Sequence, residues 1–196
     1  MLHERERAAI DALWTVKISQ DARDLPQAQR CRNLEPDSAE FICALASGIR
    51  ATRLLEIGGS SGISTIALAA AARQTGGRLV SLEIEPARQA ESKATLADLG
   101  LDGYVDYVLA DAGTVLDQYA GLQFVLIDCE KDDYIRFFDA LQLAPGAVVV
   151  ADNILSHDLF DYVGHVRAVP GVQSVTLPVG KGLEVSRIGG PRAGGH

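Results

Sequence analysis

The stretch IDCEKDDY, residues 127–134, places Asp128, Glu130, Lys131, Asp132 and Asp133 directly after the apolar run Leu122-Gln123-Phe124-Val125-Leu126. A second apolar run, 146–151, ends in Asp152 and Asn153. Two carboxylates and an amide oxygen meeting at strand ends make an all-oxygen set. Such a set suits a hard cation, Mg²⁺ above all, with positions left open for water or substrate oxygens. Lys131 follows Asp128 by three residues. Beside a metal its ammonium form is disfavoured, and a neutral amine can act as general base. Plain solvation accounts for strand-end acids as well, and a lysine among acids is commonly a surface lysine.

A third constellation lies earlier. Glu56-Ile57-Gly58-Gly59-Ser60-Ser61-Gly62-Ile63-Ser64 sits between a buried strand and an apolar helix. Glycines at 58 and 62 permit tight turning and close backbone approach to a ligand. The helix start offers N–H groups to an anion. The spacing is not GxGxxG, so a carboxylate or a ribose fits as well as a pyrophosphate, and a turn without a ligand remains open. Glu83 falls 21 residues after Gly62 at the end of the next strand, where acids accept hydrogen bonds from ribose hydroxyls. Glu85, just beyond it, reads as a helix-start charge.

These residues must be held by something regular, and the pattern supplies it. Apolar strand runs at 53–57, 78–84, 104–110, 122–128 and 146–152 alternate with helical segments at 63–75, 86–100, 114–120, 132–143 and 157–169. Pro86 opens one of these helices at a position that favours proline. The alternation predicts an α/β fold with a mostly parallel sheet covered on both faces. Runs at 172–179 and 182–188, joined through Gly180-Lys181-Gly182, are too close for a crossover and must be antiparallel. Before the sheet, residues 2–20 read as an amphipathic helix with Ala9, Ile10, Leu13, Val16 and Lys17 on one face. Residues 21–36 form a connector or lid, and Asp37 or Ser38 caps a helix through Ile49. The organisation is one domain over 1–190 with an N-terminal helical extension over 1–50, and a flexible tail over 191–196.

Composition narrows the class. The 196 residues are 47% hydrophobic and 22% charged, with a net charge of −8. That balance argues against non-specific nucleic-acid or membrane binding, which needs basic patches. Three cysteines, none in a CxxC pair, argue against a disulfide framework or a zinc site and make a reducing cytoplasm the expected compartment. No signal-peptide or membrane-spanning stretch stands out.

Together these stretches resemble the metal-dependent class I S-adenosylmethionine O-methyltransferases, the group of the catechol and caffeoyl-coenzyme A enzymes. The resemblance runs from about Asn33 to Ile188. It implies a Rossmann-like, seven-stranded sheet with the last strand antiparallel. LLEIGGSSGISTIALA is similar to the family's first cofactor motif, which implicates Glu56, Gly58, Gly59, Ser60 and Gly62 in the methionine pocket and Ser64 at the amino-acid end. Glu83 and Ile84 match the ribose-side segment, and LADAG matches the adenine side through Asp111 and Ala112. Asn33 and Leu34 resemble lid residues. DCEKDDY and ADN match the metal and base positions, giving Asp128, Asp152 and Asn153 as ligands of Mg²⁺, Mn²⁺ or Ca²⁺, Lys131 as base, and Asp128 as a neighbour of the cofactor.

The implied reaction is methyl transfer to a small hydroxylated acceptor, an aromatic vicinal diol. His157 and His165 read as solvent-facing or as caps of the late helix, although His157 falls close enough to the metal strand to contact an acceptor. The glutamate that precedes the last strand in the catechol enzyme has no clear counterpart, and Glu184 is left unassigned. A homodimer and a monomer both fit the resemblance. A metal-independent methyltransferase, a nicotinamide-dependent oxidoreductase and a non-catalytic nucleotide-binding protein remain alternatives.

Overall fold

Five-residue runs such as Arg53–Ile57, buried at all but the first position, have no polar face to show to water and must lie inside a sheet. The computed structural model describes residues 1–23 and 31–189. The expected connector over 21–36 therefore falls partly, and the tail over 191–196 wholly, outside the described residues. In chain order the elements are α1 (Glu4–Ala22), α2 (Pro36–Gly48), β1 (Arg53–Ile57), α3 (Ile63–Thr75), β2 (Arg78–Glu83), α4 (Pro86–Leu99), β3 (Val105–Leu109), β4 (Ala120–Ile127), α5 (Tyr134–Ala140), β5 (Gln142–Ala151), α6 (Phe160–Ala168), β6 (Val172–Leu177) and β7 (Leu183–Ile188).

The strands form one seven-stranded sheet in the order β3-β2-β1-β4-β5-β7-β6. β7 runs antiparallel to both its neighbours, and the remaining pairs are parallel. Strand order reverses between β1 and β4, the switch point outside which ligands bind in such sheets. Register brings the relevant tips level: Ile57 pairs with Leu82 on one side and Ile127 on the other, and Ile127 pairs with Ala151.

Side chains alternate across the sheet. Leu54, Phe124, Leu126, Val148 and Val150 face a core shared with α2 and α3. Leu55, Val125, Ile127 and Val149 face the opposite core, with Tyr134, Phe138 and Tyr162 from α5 and α6. Residues 66–72 of α3 are wholly buried, five of them alanines, which lets the helix lie close against the strands.

Several local readings shift. The helix expected over 132–143 ends at Ala140, because Gln142 and Leu143 pair with Ala120 and Leu122 of β4, and ladder bonds outbid a further helical turn. Residues 114–120 form short 3₁₀ turns, at Ala112–Thr114 and Leu116–Gln118, rather than a helix. The late helix begins at Phe160, since the amides of Ser156 and His157 turn back to the Asn153 carbonyl. Glu35, not Asp37 or Ser38, is the residue before α2, and it caps without a side-chain bond. On α1 the buried positions are Glu6, Ile10 and Lys17, while Val16 lies outside the contact and is exposed.

The buried acid Glu6 pins α1 to α3. Its carboxylate accepts from Arg73 on α3 at 2.5 Å and from the backbone N–H of His3 at 2.7 Å. Burial alone would raise this carboxyl, but the Arg73 and His3 bonds bring it below the ordinary value of 4.5. A depressed carboxyl stabilises the fold above its unfolded pKa, and that contribution is lost as pH falls through the folded value. Glu6→Gln should therefore cost about 1–3 kcal/mol at pH 7. In thermal melts the gap to wild type should close as pH drops below 4.5. A gap that persists at pH 3 would show that packing, not charge, is at stake.

Candidate active site

The turn after β1 is shaped by what it must pass. Gly58 takes φ +95°, and a Cβ there would overlap the Asp128 carbonyl oxygen and lie 2.9 Å from the carbonyl carbon. Only glycine lets β1 and β4 leave the sheet this close together. The amides of Gly58 and Gly59 bond to the Leu82 carbonyl, that of Gly62 to the Gly59 carbonyl, and that of Ser60 to Glu83. These four donors are spent inside the protein. Glu56 lies behind it, fully buried, its Oε1 accepting from Thr65 and Ser81 at 2.6 Å each. Burial pushes its carboxyl above the usual range, against hydrogen bonds from Ser81, Thr65 and Ser64.

In front of the turn is a cavity of about 410 Å³. Gly58, Ser60, Glu83, Ile84, Asp111, Ala112 and Asp128 line it, at the tips of β1 to β4. Glu83 is locked by three backbone amides: Ser60 at 2.7 Å on Oε2, and Ile84 and Glu85 at 2.8 and 2.9 Å on Oε1. A carboxylate offers roughly four acceptor sites, which leaves capacity aimed at the cavity. Asp111 spends one oxygen on the amide of Gly113 at 2.7 Å. Asn33, Leu34, Glu56, Gly59, Gly62 and Ser64 do not line this cavity.

A second cavity, about 450 Å³, opens on the other side of Asp128. Lys131, Asn153, His157 and Asn33 line it with Lys17 and Lys181. Asp128 and Arg32 line both cavities. The Asp128 side chain, 8% exposed, receives the Asn153 amide at 2.9 Å and lies 3.6 Å from the Lys131 ammonium. Lys131 Nζ donates to the Tyr134 hydroxyl at 2.8 Å, and that hydroxyl donates to the Asp152 carbonyl at 3.3 Å. Asp152 is buried, and its Oδ1 has no hydrogen-bond partner. Burial, then the neighbouring Asp128 charge, push its carboxyl up to about 8.

Two adjacent carboxylates, one with an orphaned buried oxygen, fit a divalent cation: a cation would satisfy that oxygen and relieve the repulsion. The Asn153 backbone sits at φ +65°, a conformation asparagine tolerates better than most residues.

The lining residues the motifs did not announce come from distant segments. Arg32 reaches the site from before α2, bonding through its N–H to Ser60 Oγ at 3.1 Å and through its guanidinium to Glu130. Arg88 and Phe137 line the first cavity. Glu184, left unassigned from sequence, is fully buried beneath α6, bonded to Arg167 at 2.9 Å and Ser174 at 2.6 Å, and lines neither cavity.

This sheet order, with a ligand-sized cavity at the switch point, is the Rossmann-like fold of the class I methyltransferases. It superposes on cofactor-bound Rv0187 from MTB with a TM-score of 0.78 at 26% identity, covering 92% of this chain and 89% of that one. It also superposes on the O-methyltransferase TomG from Streptomyces achromogenes, with a TM-score of 0.78 at 24% identity, covering 97% and 92%. The relatives by sequence include catechol and caffeoyl-CoA O-methyltransferases, the group the motifs resemble. Catechol O-methyltransferase of Mycobacterium tuberculosis is 35% identical over 148 residues, 74% of this chain and 65% of the relative. That of Niastella koreensis is 33% identical over 130 residues, 63% and 58%. The chain thus spans less than two thirds of either relative's length. The chain belongs to the family described as "Protein of unknown function (DUF1442)", which residues 12–196 match.

Proposed function

We propose that this protein is a divalent-metal-dependent O-methyltransferase that moves a methyl group from S-adenosylmethionine to one hydroxyl of a small aromatic vicinal diol, within a single domain over residues 1–190. The observation that carries the reading is Asp128: one carboxylate walls both cavities, beside the orphaned oxygen of Asp152. The first cavity would take the methyl donor, with Glu83 accepting from ribose hydroxyls and Ile84 and Ala112 flanking the base. The second would take the diol. The relatives named catechol O-methyltransferase support that pairing.

Asp128, Asp152 and Asn153 would hold the cation. When bound, it would lower the pKa of the acceptor hydroxyl and help to orient the acceptor. Lys131 accepts the hydroxyl proton at Nζ, positioned by the Tyr134 hydroxyl. Burial keeps Tyr134 a phenol, its pKa pushed well up, so it orients rather than competes for the proton. With both oxygens fixed and the donor held across Asp128, alignment supplies much of the acceleration.

The test is chelation. With S-adenosylmethionine, a simple catechol and Mg²⁺, the protein should form methylated product. EDTA should suppress turnover by about 10²-fold or more, and excess Mg²⁺ should restore it. Full turnover in chelator would leave a metal-independent methyltransferase. None of the helices among the described residues is long and apolar enough to cross a membrane, and the cysteine usage supports a cytoplasmic enzyme.

A further inference from the structure

The second cavity is positively lined in a protein whose net charge is −8. Lys17, Arg32, Lys131 and Lys181 face it, against Asp21 and Asp128. Lys131 and Arg32 sit at the junction with the first cavity, against Asp128 and Glu130. Lys17 is on α1 and Lys181 on the turn between β6 and β7. The Lys17 ammonium pairs with Asp21 at 2.6 Å, and the Lys181 ammonium with Glu35 at 3.0 Å. An ammonium carries three N–H donors, so one pairing leaves donors for a ligand. Glu35 does not line the cavity, and its charge acts on Asp128 and Asp152 as well.

The Lys181 backbone is also fixed relative to the metal-site residues. Its carbonyl accepts from Leu155 at 2.8 Å, and the Gly182 carbonyl accepts from Ile154 at 3.0 Å. The imidazole of His157 feels the same field: burial first, then the charges of Lys131, Lys181 and Arg32, hold it below its ordinary value.

We infer that Lys181, with Lys17 on the same cavity, receives an acidic group of the acceptor, so that the preferred acceptor is a dihydroxy-aromatic acid rather than a neutral diol. This deepens the proposed function and rests on it. No new bond is formed; the acid is held by charge-assisted hydrogen bonds while its diol occupies the Asp128 end.

The test is a binding titration on protein saturated with S-adenosylhomocysteine and Mg²⁺, comparing 3,4-dihydroxybenzoate with its methyl ester. The acid should bind about tenfold more tightly. In Lys181→Met the ratio should fall to near unity. Because that variant leaves Glu35 without its cation, Glu35→Gln/Lys181→Met is titrated beside it and should show the same collapse. Equal affinities in the wild type, or a ratio unchanged in both variants, overturns the inference. Methyl transfer to the ester, followed in the same samples, judges the enzymatic reading separately. An acid preference that depends on Lys181 without transfer to either compound would sustain the subsite and reject the reaction.

Discussion

Lys131→Ala is expected to lower kcat by about 10²–10⁴-fold, the range over which a positioned general base acts, while affinity for S-adenosylhomocysteine stays at the wild-type value. The separation follows from placement. Lys131 lines the second cavity and not the first, and its amine is fixed by the Tyr134 hydroxyl at 2.8 Å. Lys131→Arg divides the two roles the residue could play. It keeps a positive charge near Asp128 but cannot release a proton at neutral pH. If the arginine variant turns over like wild type, the position supplies charge and not proton transfer, and the base must be sought elsewhere. Single-turnover kinetics and a calorimetric titration of the product cofactor together check both halves.

Gly58→Ala is expected to cost about 2–5 kcal/mol, combining a strained left-handed backbone with overlap that neither strand can relieve. For a chain of this size that lowers Tm by roughly 5–20 °C. Gly100→Ala is the matched control. Gly100 also has positive φ, at +69°, yet a Cβ there meets nothing within 4 Å. It should lose only about 1–2 kcal/mol. The difference between the variants, read by denaturant melts, isolates the close passage of β1 past β4. Similar losses in both would mean that the backbone conformation alone matters and that the two strand tips are free to separate.

Much of the sheet was legible because buried parallel strands read as apolar runs, and the residues at their tips sit one step past the run. Asp128 and Asp152 could be placed that way, and the level register of Ile127 and Ala151 brings them together. Glu83 was legible for the same reason. Elements decided by long-range pairing were not. The helix at 134–140 stops because β4 claims Gln142, a contact no local window contains. Arg32, Lys17 and Lys181 line the second cavity from three separate segments, and none belongs to a motif. A surface lysine and a cavity lysine have the same local sequence. Glu184 was opaque for the opposite reason: its partner Arg167 lies on another element, so a buried, fully bonded acid looked like a misplaced ligand.

The shared wall at Asp128 sets how such a protein can diversify. On the proposed function, a substitution there would disturb donor and acceptor at once, so new acceptor preferences would not arise through it. The first cavity is walled in part by buried strand-end residues, Ile57, Leu82 and Glu83, which also belong to the packed interior. Lys17, His157 and Lys181 lie on α1, on the segment after β5 and on the β6–β7 turn, outside the strands themselves. On the proposed function, the fold would separate a fixed half, which supplies the methyl group, from an editable half, which chooses where the methyl group goes.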